Sequence, residues 1–231
     1  MRILIVQTAF IGDCILTTPL IRRTRESFPD ADYIAILTTP QGEQVFRNNP
    51  ALDEIIVYDK RNSDRGLNTF FGLAGNLLEH DFDLAILPHR SFRTGSISLL
   101  ARIPQRVGFS GSSGSIFYTQ KVERPGEIPE PERMLALLKP FGGAKPCPTE
   151  LFPGEDNKKR AAEFFQRHDL TGKILAAAPG SVWGTKRYPP ELFAEAIDLV
   201  SSRLNYSAAV LIAGPEDSRL CGEVQELAKS P

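Results

Sequence analysis

The sequence predicts an α/β protein built on an open, mostly parallel sheet. Short β-branched runs alternate with stretches of helical spacing along most of the 231 residues. The first run, Arg2–Gln7 (RILIVQ), is apolar enough for a strand buried on both faces. Loops carrying Gly, Asp and Ser follow several strands, where a parallel sheet presents its ligand edge.

After that strand, residues 14–28 read as a helix. Ile15, Leu16, Leu20 and Ile21 recur near helical spacing, with Arg22, Arg23, Arg25 and Glu26 on the wet face. Pro29 and Asp30 stop it. Strands are expected at 33–38, 54–58, 83–87 and 106–109, and helices at 41–47, 67–79 and 92–101. Residues 110–128 read as a surface loop around a candidate short strand at 116–122. Met134, Leu135, Leu137 and Leu138 give an apolar face to a helix at 130–140. Three prolines and three glycines in residues 142–154 mark a linker. Beyond it come a helix (156–168), a strand (174–178), a loop (179–189), a helix (190–203), a strand (208–213) and a helix (216–229). Two domains are therefore expected, 1–153 and 154–231. The second has only two apolar strands, each suited to neighbours on both sides, so a partial chain of a longer two-domain protein is expected.

Composition narrows the function classes. With 27 basic and 28 acidic side chains the net charge is −1, and neither half is basic. A general nucleic-acid binder is disfavoured. Cys14, Cys147 and Cys221 lack metal-ligand spacing and are too few and too far apart for a disulfide framework. They suit a reducing compartment. No run approaches the roughly 18 apolar residues of a membrane span, and the N-terminus lacks a signal-peptide pattern. A cytoplasmic protein is expected, with peripheral contact at the inner face of the cytoplasmic membrane left open.

Three segments carry chemistry. The first is Phe10-Ile11-Gly12-Asp13, between the first strand and the first helix. Gly12 allows a turn that a Cβ would resist. Asp13 reads either as a helix N-cap, which position alone favours, or as a general base facing a cleft. The second is the loop from Pro179 to Pro189, with Gly180, Ser181, Thr185 and Lys186. Backbone N–H groups, two hydroxyls and an ammonium there suit an anion, although GxxxxGK[ST] and GxGxxG are both absent. The alternative is a surface loop with a solvated Lys186–Arg187 pair. The third is Pro88-His89-Arg90-Ser91-Phe92-Arg93, past the fourth strand, where His89, Arg90 and Arg93 would line the same crevice as Asp13. A basic helix start favours an answering anion, such as a phosphorylated or carboxylated acceptor. Asp30-Ala31-Asp32 and Asp81-Phe82-Asp83 spell DxD but sit before strands, where Asp is a turn residue. No metal and no cofactor are expected.

Four stretches, taken together, resemble a known family. They are RILIVQTAFIGDCILTTPLIRRTRESFPDADY, DFDLAILPHRSFRTGSISLLARIPQRVGF, APGSVWGTKRYPPELFAEA and AVLIAGPEDSRL, in that order. The chain is similar to the heptosyltransferases of lipopolysaccharide core synthesis, glycosyltransferase family 9, of the heptosyltransferase II type. The resemblance implies a GT-B fold of two Rossmann-like domains, the second incomplete here. It implies inverting, metal-independent transfer of heptose from ADP-L-glycero-D-manno-heptose to a lipid A–core acceptor. The family's base falls on Asp13 and its donor-phosphate lysine on Lys186, with Ser181 and Thr185 in the same loop. Glu216 falls loosely near the donor ribose. The family pattern continues for roughly another hundred residues, about the remainder of an ordinary domain. That part includes an Asp-Ser/Thr-Gly-x-x-His-x-Ala motif for the ADP-sugar, which has no match after Leu227. Little or no transferase activity is therefore expected of this chain alone. Two alternatives stay open, a family member with another sugar donor and a non-catalytic nucleotide-binding α/β module.

Overall fold

A computed structural model describes residues 1–59 and 66–230. The chain divides into two compact units, Met1–Gly154 and Glu155–Pro231. In the first, six strands form one parallel sheet in the order β3-β2-β1-β4-β5-β6. They are β1 (Arg2–Gln7), β2 (Tyr33–Thr38), β3 (Glu54–Val57), β4 (Leu84–Leu87), β5 (Gln105–Phe109) and β6 (Gln120–Val122). The helices are α1 (Ile11–Ser27), α2 (Pro40–Phe46), α3 (Leu67–Glu79), α4 (Phe92–Leu100) and α5 (Glu130–Leu135).

The alternation of side chains along each strand builds two cores. Ile3 and Ile5 of β1 join Ile34, Ile36, Leu84 and Ile86 beneath Leu20 and Ile21 of α1 and Met134 of α5. Leu4 and Val6 point the other way, with Leu37, Ala85 and Leu87, toward Ala74 and Leu77 of α3 and Ile97 of α4. Every residue from Ile3 to Val6 is sealed from solvent. That explains the uninterrupted apolar run, since a one-residue slip would carry each side chain to the opposite core.

Helix α1 begins at Ile11, three residues earlier than the sequence suggests. Its N-cap is Phe10, in extended backbone and without a side-chain cap bond, so Asp13 lies inside the first turn and is not the cap. Gly12 lies in that turn too, and a Cβ there would meet nothing within 4 Å. The expected need for glycine at this turn does not hold. Pro19 sits in mid-helix without an N–H, and the Thr18 hydroxyl donates to the Ile15 carbonyl at 2.8 Å, supplying the bond that Pro19 leaves unmade. The helix expected at 130–140 is α5 followed by a 3-10 stretch, Ala136–Phe141. Pro140 interrupts the α-helical ladder there, and Gly142 closes the stretch at φ +99°. The candidate strand at 116–122 resolves into a 3-10 turn, Ser115–Phe117, and the three-residue β6.

Both DxD pairs are structural ties at the sheet's amino edge. The Asp32 carboxylate meets the Met1 amino group at 2.6 Å, and Asp83 accepts the Arg2 N–H at 2.7 Å. Residues 142–154 run along the outside of α1. Arg23 donates to the carbonyls of Lys145 and Pro146, Arg22 pairs with Glu150 at 2.7 Å, and the Glu150 N–H donates to Thr18.

The second unit holds α6 (Gly154–Arg167), β7 (Ile174–Ala177), α7 (Pro190–Leu204), β8 (Ala208–Leu211) and α8 (Ser218–Leu227). Strands β7 and β8 pair in parallel. Ala194, Ile197 and Val224 form its buried centre.

Candidate functional site

The sheet order reverses between β2-β1 and β1-β4, so the chain leaves β1 and β4 in opposite directions. A crevice opens there at the carboxyl ends of the strands, where open α/β sheets take their ligands. Its volume is about 450 Å³. Gln7, Ala9, Phe10 and Asp13 line one wall, Pro88, His89 and Arg90 another, and Arg124, Glu130 and Met134 a third. Gln7 is fixed by donating to the Thr17 hydroxyl at 2.8 Å, which in turn donates to the Asp13 carbonyl at 2.7 Å. Thus the backbone beneath Asp13 is held, while its half-buried carboxylate accepts no hydrogen bond among the described residues.

His89 and Arg90 face this crevice with Asp13, as expected. His89 Nδ1 shares a 2.9 Å hydrogen bond with the Thr8 hydroxyl, and Arg90 donates to the Gly111 carbonyl at 3.1 Å. Arg93 is placed elsewhere. Its guanidinium lies over the rings of Tyr58 (5.3 Å) and Phe70 (5.0 Å), and it borders a small separate hollow with Thr8, Tyr58 and Ser91. The aromatic faces draw that cation away from the crevice. Ser91 caps α4 by accepting the Thr94 N–H at 3.2 Å.

Arg124 and Glu130 are the charged crevice residues that the sequence does not single out. Glu130, the first residue of α5, accepts from Arg124 at 2.5 Å and from Arg133 at 3.2 Å. The Nε–H groups of both arginines are buried and meet no acceptor among the described residues. The sequence signal was faint. Glu130 and Glu132 make an acidic helix start, and Glu130 with Arg133 has i,i+3 spacing. Nothing local joins Arg124 to them.

In the second unit the 179–189 loop connects β7 to α7 and contains one 3-10 turn, Gly184–Lys186. The Trp183 N–H donates to the Ser181 hydroxyl at 3.2 Å, and the Lys186 N–H to the Trp183 carbonyl at 2.9 Å. Thr185 and Lys186 are exposed and Ser181 is half-buried. Glu216 is exposed in a second 3-10 turn, Pro215–Asp217. Its neighbour Asp217 is the residue that reaches the loop, lying against Gly180 and 3.4 Å from Arg187. Among the described residues no three His, Cys, Asp or Glu side chains converge as a metal site requires, and no helix is long and apolar enough to cross a membrane.

Comparison with known proteins places these features in a family. A family model described as glycosyltransferase family 9 (heptosyltransferase) matches residues 71–230. A curated relative, lipooligosaccharide heptosyltransferase 2 of Haemophilus ducreyi, is 21% identical over 96% of this chain. The chain spans 66% of that relative's length, about two thirds. Among solved structures, a glycosyl transferase family 9 protein from Veillonella parvula superposes with a TM-score of 0.87 at 25% identity, over 99% of this chain and 67% of its own. The ADP-heptose lps heptosyltransferase II of E. coli gives 0.76 at 20% identity, over 98% and 68%. The α/β fold with its parallel sheet is therefore that of GT-B-like family 9 structures.

Proposed function

The chain belongs to glycosyltransferase family 9, and on that premise we propose that it serves the transfer of heptose from ADP-L-glycero-D-manno-heptose to the inner core of lipopolysaccharide. The observation that carries this reading is the Asp13 carboxylate in the β1/β4 crevice, which His89, Arg90 and Arg124 also line. An uncommitted carboxylate beside cationic side chains suits an acceptor that carries both a hydroxyl and anionic groups. The names of its relatives point to the same donor and acceptor classes.

The proposed chemistry is a direct displacement with inversion. Asp13 takes the proton of the acceptor hydroxyl as its oxygen bonds to the anomeric carbon. The bond from that carbon to the β-phosphate oxygen breaks, and ADP leaves with the electron pair. Lys186, the Ser181 and Thr185 hydroxyls and the loop N–H groups answer the charge developing on the diphosphate, preorganised electrostatics that needs no divalent ion. Unit 1 would be the acceptor side and unit 2 the donor side, with Glu216 near the ribose. A lipid-anchored acceptor places the work at the inner face of the cytoplasmic membrane. Because the chain spans about two thirds of its curated relative, turnover is a property of the whole protein.

The test is ADP release by the whole protein, supplied with ADP-heptose and a core acceptor lacking that heptose. Asp13→Asn should lower kcat by about 10²–10⁴-fold, the size of general-base assistance, with the melting temperature unchanged. Full activity in Asp13→Asn would overturn the assignment. Activity with a different nucleotide sugar, lost in the same variant, would move the reading to another donor.

A further inference from the structure

We propose that Arg187 and Asp217 form a latch that holds the 179–189 loop in one shape, so that both are positioning residues for Ser181, Thr185 and Lys186. The inference rests on the reading of this loop as the diphosphate cradle. The latch itself is argued from contacts within the second unit.

A loop of this length, with two glycines and one short turn, has many conformations open to it. Its short-range bonds, Trp183 N–H to the Ser181 hydroxyl, Lys186 N–H to the Trp183 carbonyl and Arg187 N–H to the Gly184 carbonyl, span only a few residues. Arg187 does more. Its Nε donates to the Ser181 carbonyl at 2.7 Å, closing the segment that contains Thr185 and Lys186 into a ring. Its terminal nitrogen reaches Asp217 Oδ1 at 3.4 Å, tying that ring to the residue that precedes α8. The guanidinium fork serves both acceptors at once.

The other carboxylate oxygen of Asp217 lies against the opposite end of the loop. A Cβ added at Gly180 would collide with Asp217 Oδ2 and Cγ. Gly180 thus lets the carboxylate lie close to the loop, at an ordinary backbone angle. One carboxylate is therefore packed against the loop's entry, at Gly180, and paired with its exit, at Arg187. With Arg187 paired to Asp217, Lys186 is left to present its charge to a diphosphate. Its backbone position is set by the residue next to it.

Trp183 lies inside this loop, is 58% exposed, and is the chain's single tryptophan, so its fluorescence reads the loop alone. Arg187→Gln and Asp217→Asn are each expected to increase acrylamide quenching and lower the anisotropy of Trp183. The open-loop population should rise about two- to fivefold, as for loss of one partly exposed ion pair. The double variant should be no looser than the looser single. Gly180→Ala, which forces the carboxylate away, should give the same signature. Arg187→Lys keeps the charge but not the fork, so it should also loosen the loop. A Trp183 signal unchanged in Arg187→Gln and Asp217→Asn, or fully retained in Arg187→Lys, overturns the latch. Titration with ADP of the whole protein carrying the same substitutions separates the two readings. Weaker ADP binding by the loosened variants, in the same proportion, supports the positioning role, and equal binding overturns it. A whole protein indifferent to ADP, with Trp183 still loosened in the variants of this chain, counts against the cradle and in favour of the latch.

Discussion

Asp53 shows how one carboxylate can join three elements. It accepts the Ile34 N–H of β2 at 2.7 Å and the Arg25 guanidinium of α1 at 2.5 Å, from a position just before β3. Burial alone would raise its pKa, but the Ile34 N–H and Arg25 outweigh that and hold the carboxyl below the usual carboxylate range. A folded-state pKa below the unfolded one gives stability that is present above the ordinary carboxylate value and lost as pH falls through the lowered one. Urea midpoints of the parent and Asp53→Asn should therefore differ near neutral pH and converge in acid, below about pH 4. Parallel curves across that range would show that Asp53 is not the linked group. Glu130 poses a complementary case, since two arginines share it. Glu130→Gln removes the charge that both answer, and the side chains are about a quarter exposed (25–28%). A loss of about 1–2 kcal/mol is expected after allowing for solvent screening, read as a lower urea midpoint at unchanged slope.

Helix α1 carries the Asp13 turn on an element that breaks ordinary helix rules. Its buried face holds Thr17, Thr18, Pro19 and Thr24 beside Cys14, Leu20 and Ile21. Threonines inside a helix serve carbonyls, and Thr18 is the one that compensates for Pro19. It also accepts the Glu150 N–H at 3.1 Å. Thr18→Val keeps the shape and removes both bonds, so a loss of about 1–3 kcal/mol is expected by calorimetry or urea unfolding, with Thr18→Ser recovering most of it. Equal losses in Val and Ser would assign the effect to packing instead. This helix also marks the limit of what the sequence discloses. Strand β1 and helix α3 are legible to the residue because their apolar spacing alone defines them. The start of α1 is not, because Phe10 caps without a side-chain bond while Asp13, the residue type that usually caps, sits one turn in. The crevice was half legible for a related reason. Asp13, His89 and Arg90 follow strands that their apolar runs mark, whereas Arg124 arrives through a loop with no periodicity and Arg93 turns toward rings contributed by other elements.

The two units differ in how much apolar surface they bury, and that difference should appear in their stability. In Met1–Gly154 the sheet is covered on both faces, and β1, β2 and β4 are almost wholly inaccessible. In Glu155–Pro231 the buried centre is Ala194, Ile197 and Val224, α6 buries no residue, and all four residues of β8 are partly exposed. Hydrophobic burial is the main favourable term in folding, so the second unit has far less to set against its chain entropy. Local opening energies range from near zero to the global value, and β7 and β8 fall toward the low end. Native-state hydrogen exchange should find the amides of β7 and β8 opening at least about a hundredfold more readily than those of β1 and β4, with urea unfolding in two steps. The 179–189 loop springs from β7, so the donor-side groups assigned to it would rest on the softer unit. Asp13 follows β1, whose residues Ile3 to Val6 are inaccessible. Equal protection in the two sheets, with a single unfolding transition seen by every probe, would show instead that the units unfold as one, and that the loop inherits the rigidity of the larger core.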